Sequence, residues 1–216
     1  MKNQAIVPVT YMGGTGGQFV SALCYAARHS NYDGIKFSKF GNAHLSTTDF
    51  FLPGDFTNSV DKQIEKILSV DTPSPPYHVG MHLRDIDRVM DVFQRAIRIT
   101  YSQNDIEDLA AIFLGKWGID SNFCNLDDLE NFQLTYRKRI FFLNKNLEYW
   151  QPKNNFGDRL LYISWRDLYK NSIDDLTKKL STFIGFKFDS IVVEKIAEWR
   201  SLTENGLDNL KIIMEK

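Results

Sequence analysis

The sequence predicts an α/β protein with three layers, α/β/α, around a mainly parallel central sheet. Two observations predict it. Short apolar, β-branched runs recur along the chain, separated by helical segments of about ten residues or more, the pattern of a sheet covered on both faces. The first of these runs passes through a cluster of glycines directly into a helix. A chain of 216 residues suffices for one substantial core, so residues 1–216 are read as a single domain.

The opening strand covers residues 6–11, Ile-Val-Pro-Val-Thr-Tyr, and Met12 leads into Gly13, Gly14, Thr15, Gly16, Gly17 and Gln18. Apolar residues Phe19, Val20, Leu23, Cys24, Ala26 and Ala27 then mark one face of a helix that ends near residues 29–31. Four glycines in the five positions 13–17 remove Cβ atoms where the chain turns, so main-chain N–H groups can converge on an anion at the positive end of the helix. Phosphate or sulfate suits such a turn. The alternative is a βα turn without a ligand, for which one or two glycines suffice. Two familiar glycine patterns are excluded. A Walker A loop needs a lysine, and none occurs between Lys2 and Lys36; the dinucleotide fingerprint finds Phe19 where its third glycine belongs.

Residues 32–57 show no sustained period and are read as a substrate-facing excursion or a set of irregular short elements, with Phe40, Phe50 and Phe51 lining an acceptor site or packing as a satellite core. A helix over residues 59–68 carries Val60, Ile64, Ile67 and Leu68 on one side. The prolines at 73, 75 and 76 stop it and lead to a second strand, residues 77–83, ending at His82. Asp85 caps a helix over 86–93, a strand covers 96–101, and Asn104 caps the next helix, with Asp105, Glu107 and Asp108 in its first turn. Residues 118–124 read as a loop before a long helix, 126–149, whose middle bears Arg137, Lys138 and Arg139, read as a solvated face, with a supply of positive charge to a bound ligand as the alternative. A strand over 159–164 turns through residues 165–168 into a helix that starts near Ser172 and closes at Gly185. The last helix spans about 190–200, followed by a partly helical tail.

Ligands of such sheets gather at the carboxyl ends of the strands. That rule selects residues 13–17, 82–84, 102–104 and 164–166 as one rim. Formal net charge is −1 with the signs interspersed, which argues against a nucleic-acid partner. Two cysteines and four histidines make no ligand spacing, so no metal is expected. With no secretion signal and no apolar run of membrane-spanning length, a soluble, cytoplasmic protein is expected.

The segment Ile163-Ser164-Trp165-Arg166-Asp167-Leu168, followed by Leu176, Leu180 and Phe183-Ile184-Gly185-Phe186, resembles the Y-E-D-L … L-x-x-I-x-x-F-L-G segment of the sulfotransferase family. Those are P-loop-like α/β enzymes that move a sulfuryl group from 3′-phosphoadenosine-5′-phosphosulfate (PAPS) to an acceptor hydroxyl or amine. Thr15 through Phe19 is similar to the family's 5′-phosphosulfate loop P-K-S-G-T-T-W, with Gly14 where its lysine stands. Residues 80–83, Gly-Met-His-Leu, are similar to its K-T-H-L. The resemblance implies PAPS as cofactor, held by Gly13, Gly14, Thr15, Gly16, Gly17 and Gln18. It implies His82 as the catalytic base, whose near-neutral imidazole suits removal of a hydroxyl proton; a histidine that merely bonds the sheet rim is the alternative. His78 is the weaker candidate on that strand. At the family's 3′-phosphate site the arginine after the strand is missing; Tyr101 and Ser102 follow instead, with Ser102 nearest the expected place and Arg98 inside the strand. The acceptor is expected to be a small molecule or glycan. The other reading is a non-catalytic member that binds a phosphorylated ligand or a protein through the same rim; nucleotide hydrolysis ranks last for want of the Walker residues.

Overall fold

The structure, a computed structural model, describes residues 6–12, 15–29, 35–37, 43–45, 60–69, 77–81, 84–118, 129–153 and 156–214. Six strands and eight α-helices occur among them: β1 (Ile6–Thr10), α1 (Gly17–His29), β2 (Ile35–Phe37), β3 (Ala43–Leu45), α2 (Val60–Leu68), β4 (Tyr77–Met81), α3 (Ile86–Val92), β5 (Ala96–Thr100), α4 (Ile106–Gly118), α5 (Leu129–Asn146), β6 (Leu160–Ser164), α6 (Trp165–Tyr169), α7 (Ile173–Ile184) and α8 (Ser190–Met214). The expected α/β architecture is present. Four strands form a parallel sheet in the order β4-β1-β5-β6, while β2 and β3 make a separate antiparallel pair within the stretch read as irregular.

β1, β5 and β6 divide their side chains between two cores. Val7 and Val9 of β1, Ile97 and Ile99 of β5 and Ile163 of β6 face the larger core with α1, α4, α7 and α8. Ile6, Ala96 and Leu160 face a smaller core with α2 and α3. Burial on both faces explains why these strands read as largely apolar runs rather than as strict alternation. Pro8 sits in β1 next to β4, and the pairing of β1 with β5 begins only at Val9, so the missing amide interrupts no β5 ladder.

Asp85 caps α3 as expected, its carboxylate accepting from the Arg88 amide. The expected cap at Asn104 is corrected: the cap is Ser102, whose side chain and amide pair reciprocally with Asp105 before a single 3-10 turn leads into α4. Residues 165–169, read as a turn, form α6, because Ser164 and Asp167 make the same reciprocal cap. α7 starts after Ser172 and ends at Gly185, as read. The final helix does not stop near residue 200; its buried stripe of Val192, Ile196, Trp199, Thr203, Leu207 and Leu210 carries it to Met214.

Candidate functional site

The register of the sheet brings the carboxyl ends of its strands to one rim. Thr10 pairs with Met81 on one side and Arg98 on the other, and Thr100 pairs with Ser164. The last residues of β1 and β4, Thr10 and Met81, are therefore neighbours. Gly13, Gly14 and His82 lie outside the described residues.

Thr15, Gly16, Gly17 and Gln18 stand together at the head of α1. Both the amide and the hydroxyl of Thr15 donate to the Met12 carbonyl, at 3.0 and 2.7 Å, and Thr15 is fully buried. The hydroxyl hydrogen is thus committed to closing the turn, leaving its oxygen as an acceptor. Gly16 has φ +87°, and a Cβ there would lie 2.9 Å from the Trp199 ring. At Gly17 a Cβ would fall 2.0 Å from the Tyr11 ring. Both glycines are demanded by the protein's own aromatic packing, and together they leave the entry to α1 without side chains at residues 16 and 17. The amides of a helix's first turn have no intrahelical acceptor and carry its positive end. Gln18 is half-buried, and its side chain has no hydrogen-bond partner among the described residues.

The floor of this turn is aromatic. Phe19 stacks on Trp199 with ring centroids 4.1 Å apart, Trp199 meets Tyr169 at 4.4 Å, and Tyr169 stacks on Trp165 at 4.8 Å. This ladder ties the start of α1 to α8 and to the start of α6. Burial pushes the Tyr11 and Tyr169 phenols well above their ordinary range, so both stay neutral.

Ser102, at the end of β5, spends its polar groups locally. Its hydroxyl donates to Asp105 at 2.6 Å and its amide at 2.7 Å, while the buried Asp105 takes the Arg166 guanidinium at 2.8 Å on its other oxygen. One carboxylate thus joins the loops after β5 and β6. Sequence reasoning missed it, although Ser-x-x-Asp at residues 102–105 and 164–167 is the written signature of such a cap.

Arg98 is the other residue whose role the sequence left open. It is a sheet residue, fully buried, with its guanidinium 4.3 Å from the Trp150 ring centroid. It donates to the Thr10 hydroxyl at 3.3 Å, to the Arg84 carbonyl at 2.8 Å and to the Tyr149 carbonyl. Burial lowers its pKa to about 10, which leaves it charged at neutral pH. Of the basic run, Arg137 and Lys138 are exposed, but Arg139 is not a solvated residue. Its guanidinium lies 3.8 Å from the Phe113 centroid and 5.2 Å from that of Phe142, and burial lowers its pKa to about 10.

A cleft of about 760 Å³ between Arg95, Arg159, Leu160, Lys178 and Phe183 lies at the opposite, amino end of β5 and β6. It is apart from the rim where these groups converge.

No protein family and no curated protein matches the sequence. Among solved structures, the chain is similar to retinol dehydratase in complex with androsterone and inactive cofactor PAP, at 13% identity and a TM-score of 0.50, covering 97% of this chain and 67% of that one. It is also similar to retinol dehydratase in a complex with retinol and PAP, at 14% identity and a TM-score of 0.49, covering 93% and 65%. The chain thus spans about two thirds of the length of those proteins. The first likeness shows the fold: the chain shares the α/β architecture of that protein. No helix among the described residues is long and apolar enough to cross a membrane.

Proposed function

We propose that the chain is a sulfotransferase-like enzyme that moves the sulfuryl group of PAPS to the hydroxyl or amine of a small-molecule or glycan acceptor. One observation carries the reading: the glycine entry to α1, where Gly16 and Gly17 are kept without side chains by Trp199 and Tyr11, at the carboxyl rim of a parallel sheet and next to the strand that leads to His82. When bound, the donor supplies a sulfuryl group on a phosphate leaving group; the acceptor oxygen or nitrogen bonds to sulfur while the bond from sulfur to the phosphate oxygen breaks, its electron pair leaving with PAP.

The chain's own part is electrostatic and positional. Main-chain N–H groups of Gly13, Gly14, Gly16, Gly17 and Gln18 hold the phosphosulfate end, assisted by the positive end of α1. The Gln18 amide is available as a further donor. Thr15 shapes the turn through Met12. His82 takes the acceptor's proton as the new bond forms. Ser102, the residue nearest in sequence to the family's second-phosphate position, gives its hydroxyl and amide hydrogens to Asp105, so its hydroxyl oxygen offers that phosphate no hydrogen while this cap is intact.

Calorimetry with PAP and transfer of labelled sulfate to a panel of hydroxyl acceptors test this. Binding in the micromolar range with transfer is expected, and His82→Ala is expected to lower transfer by about 100-fold or more while leaving PAP affinity unchanged. Absence of binding at millimolar PAP, by folded protein, overturns it. A second reading, a non-catalytic binder of a phosphorylated ligand, is favoured by Gly14 standing where the family has lysine. Under that reading PAP binds, no acceptor is sulfated, and His82→Ala changes nothing.

A further inference from the structure

We propose that the cleft at the amino end of β5 and β6 is a ligand site of its own, which takes a small organic anion: one carboxylate carried on an apolar aliphatic or aromatic body. Its volume of about 760 Å³ is that of a pocket for a small molecule. It lies at the end of the sheet away from the glycine turn, and it does not depend on the sulfotransferase reading.

Two guanidiniums are set in place here by main-chain carbonyls. Arg159 gives its Nε hydrogen to the Gln94 carbonyl and an Nη2 hydrogen to the Met90 carbonyl, each at 3.1 Å. Arg95 donates to the Phe183 carbonyl, and its guanidinium carbon lies 4.1 Å from the centroid of the Phe183 ring. Both side chains are half-buried. A carbonyl satisfies an N–H but leaves the charge standing, and neither arginine has a carboxylate partner among the described residues. Because both are already held, little rotamer freedom remains to be lost when an anion arrives.

The charge balance of the lining sets the size of the anion. Lys178, exposed on α7, also makes no ion pair among the described residues, whereas Lys179 is held by Asp167 at 3.1 Å. Asp158 and Asp175 lie on the same lining, exposed and likewise unpaired among the described residues. Three uncompensated cations against two carboxylates leave one positive charge, which a single negative group complements. The rest of the wall is apolar: Leu160, half-buried Leu161 and the Phe183 ring. An inorganic anion would leave that wall wet, and a neutral apolar molecule would desolvate the guanidiniums with nothing to compensate them. A carboxylate on an apolar body meets both demands.

Calorimetry on the full chain compares 2-naphthoate, the neutral 2-naphthamide and naphthalene-2,6-dicarboxylate, for the wild type and for Lys178→Glu, a change at an exposed side chain. The wild type is expected to bind 2-naphthoate about 10-fold tighter than 2-naphthamide and the dicarboxylate no tighter than 2-naphthoate. Lys178→Glu is expected to abolish the preference for 2-naphthoate and to leave the affinity for 2-naphthamide unchanged. Amide chemical-shift mapping with 2-naphthoate is expected to move residues 94–95, 158–161 and 178–183. Equal affinities for 2-naphthoate and 2-naphthamide, a preference that survives Lys178→Glu, or saturable shifts that avoid those residues overturn the site. Tighter binding of the dicarboxylate overturns the assignment of a single charge.

Discussion

Gly17 shows how a glycine can be read correctly as a turn residue and incompletely as a ligand residue. Its missing Cβ makes room for the Tyr11 ring, which would stand 2.0 Å away from any such atom. A side chain there must displace a buried aromatic from the end of β1. Gly17→Ala is therefore expected to destabilise the protein by about 2–3 kcal/mol, the ordinary cost of overpacking a filled core. Urea unfolding measures it, and a loss below about 0.5 kcal/mol would mean that Tyr11 is free to move. At this scale the sequence was suggestive. It marked Thr15, Gly16, Gly17 and Gln18 as belonging together, but it held no sign that Tyr11 and Trp199 were their neighbours, since those contacts join residues far apart in the chain or on opposite sides of a turn.

At the scale of elements, short reciprocal caps decide how strands hand over to helices. Asp167 caps α6 through the Ser164 amide at 2.9 Å, accepts from Asn171 at 2.9 Å and from Lys179 of α7 at 3.1 Å, and so links β6 to two helices. Burial alone would push its carboxyl up, but the hydrogen bonds from Ser164, Asn171 and Lys179 outweigh it and hold the pKa below the usual carboxylate range. A depressed folded-state pKa contributes stability that is present above the unfolded value, near 4, and is lost as pH falls through the folded value. Acid unfolding of Asp167→Asn is expected to show a shallower loss of stability below about pH 4 than the wild type. Parallel curves for the two proteins would show that the cap does not matter. Boundaries such as Asp85, Ser172 and Gly185 were legible because one residue type sets each. The pairs Ser102 with Asp105 and Ser164 with Asp167 were equally written in the chain, yet they were hidden by the stronger turn character of the residues between them.

For the whole molecule, two cores on opposite faces of one parallel sheet force all four carboxyl ends to a single rim. That arrangement was legible because β1 and β5, apart from Arg98 and their closing threonines, read as near-continuous apolar runs, as doubly covered strands do. The packing of Arg98, Arg139 and Arg84 was not legible. The sequence put Arg98 inside a strand and residues 82–84 on the rim, but nothing in it announced Trp150, Phe113 and Phe142 beneath these cations.

The most direct measurement is amide chemical-shift mapping of isotope-labelled protein titrated with adenosine 3′,5′-bisphosphate. Saturable shifts concentrated at residues 15–20 are the expected result. Saturation that leaves the amides of residues 15–20 unmoved, or no shifts at millimolar ligand, would contradict the placement of a phosphate at the head of α1.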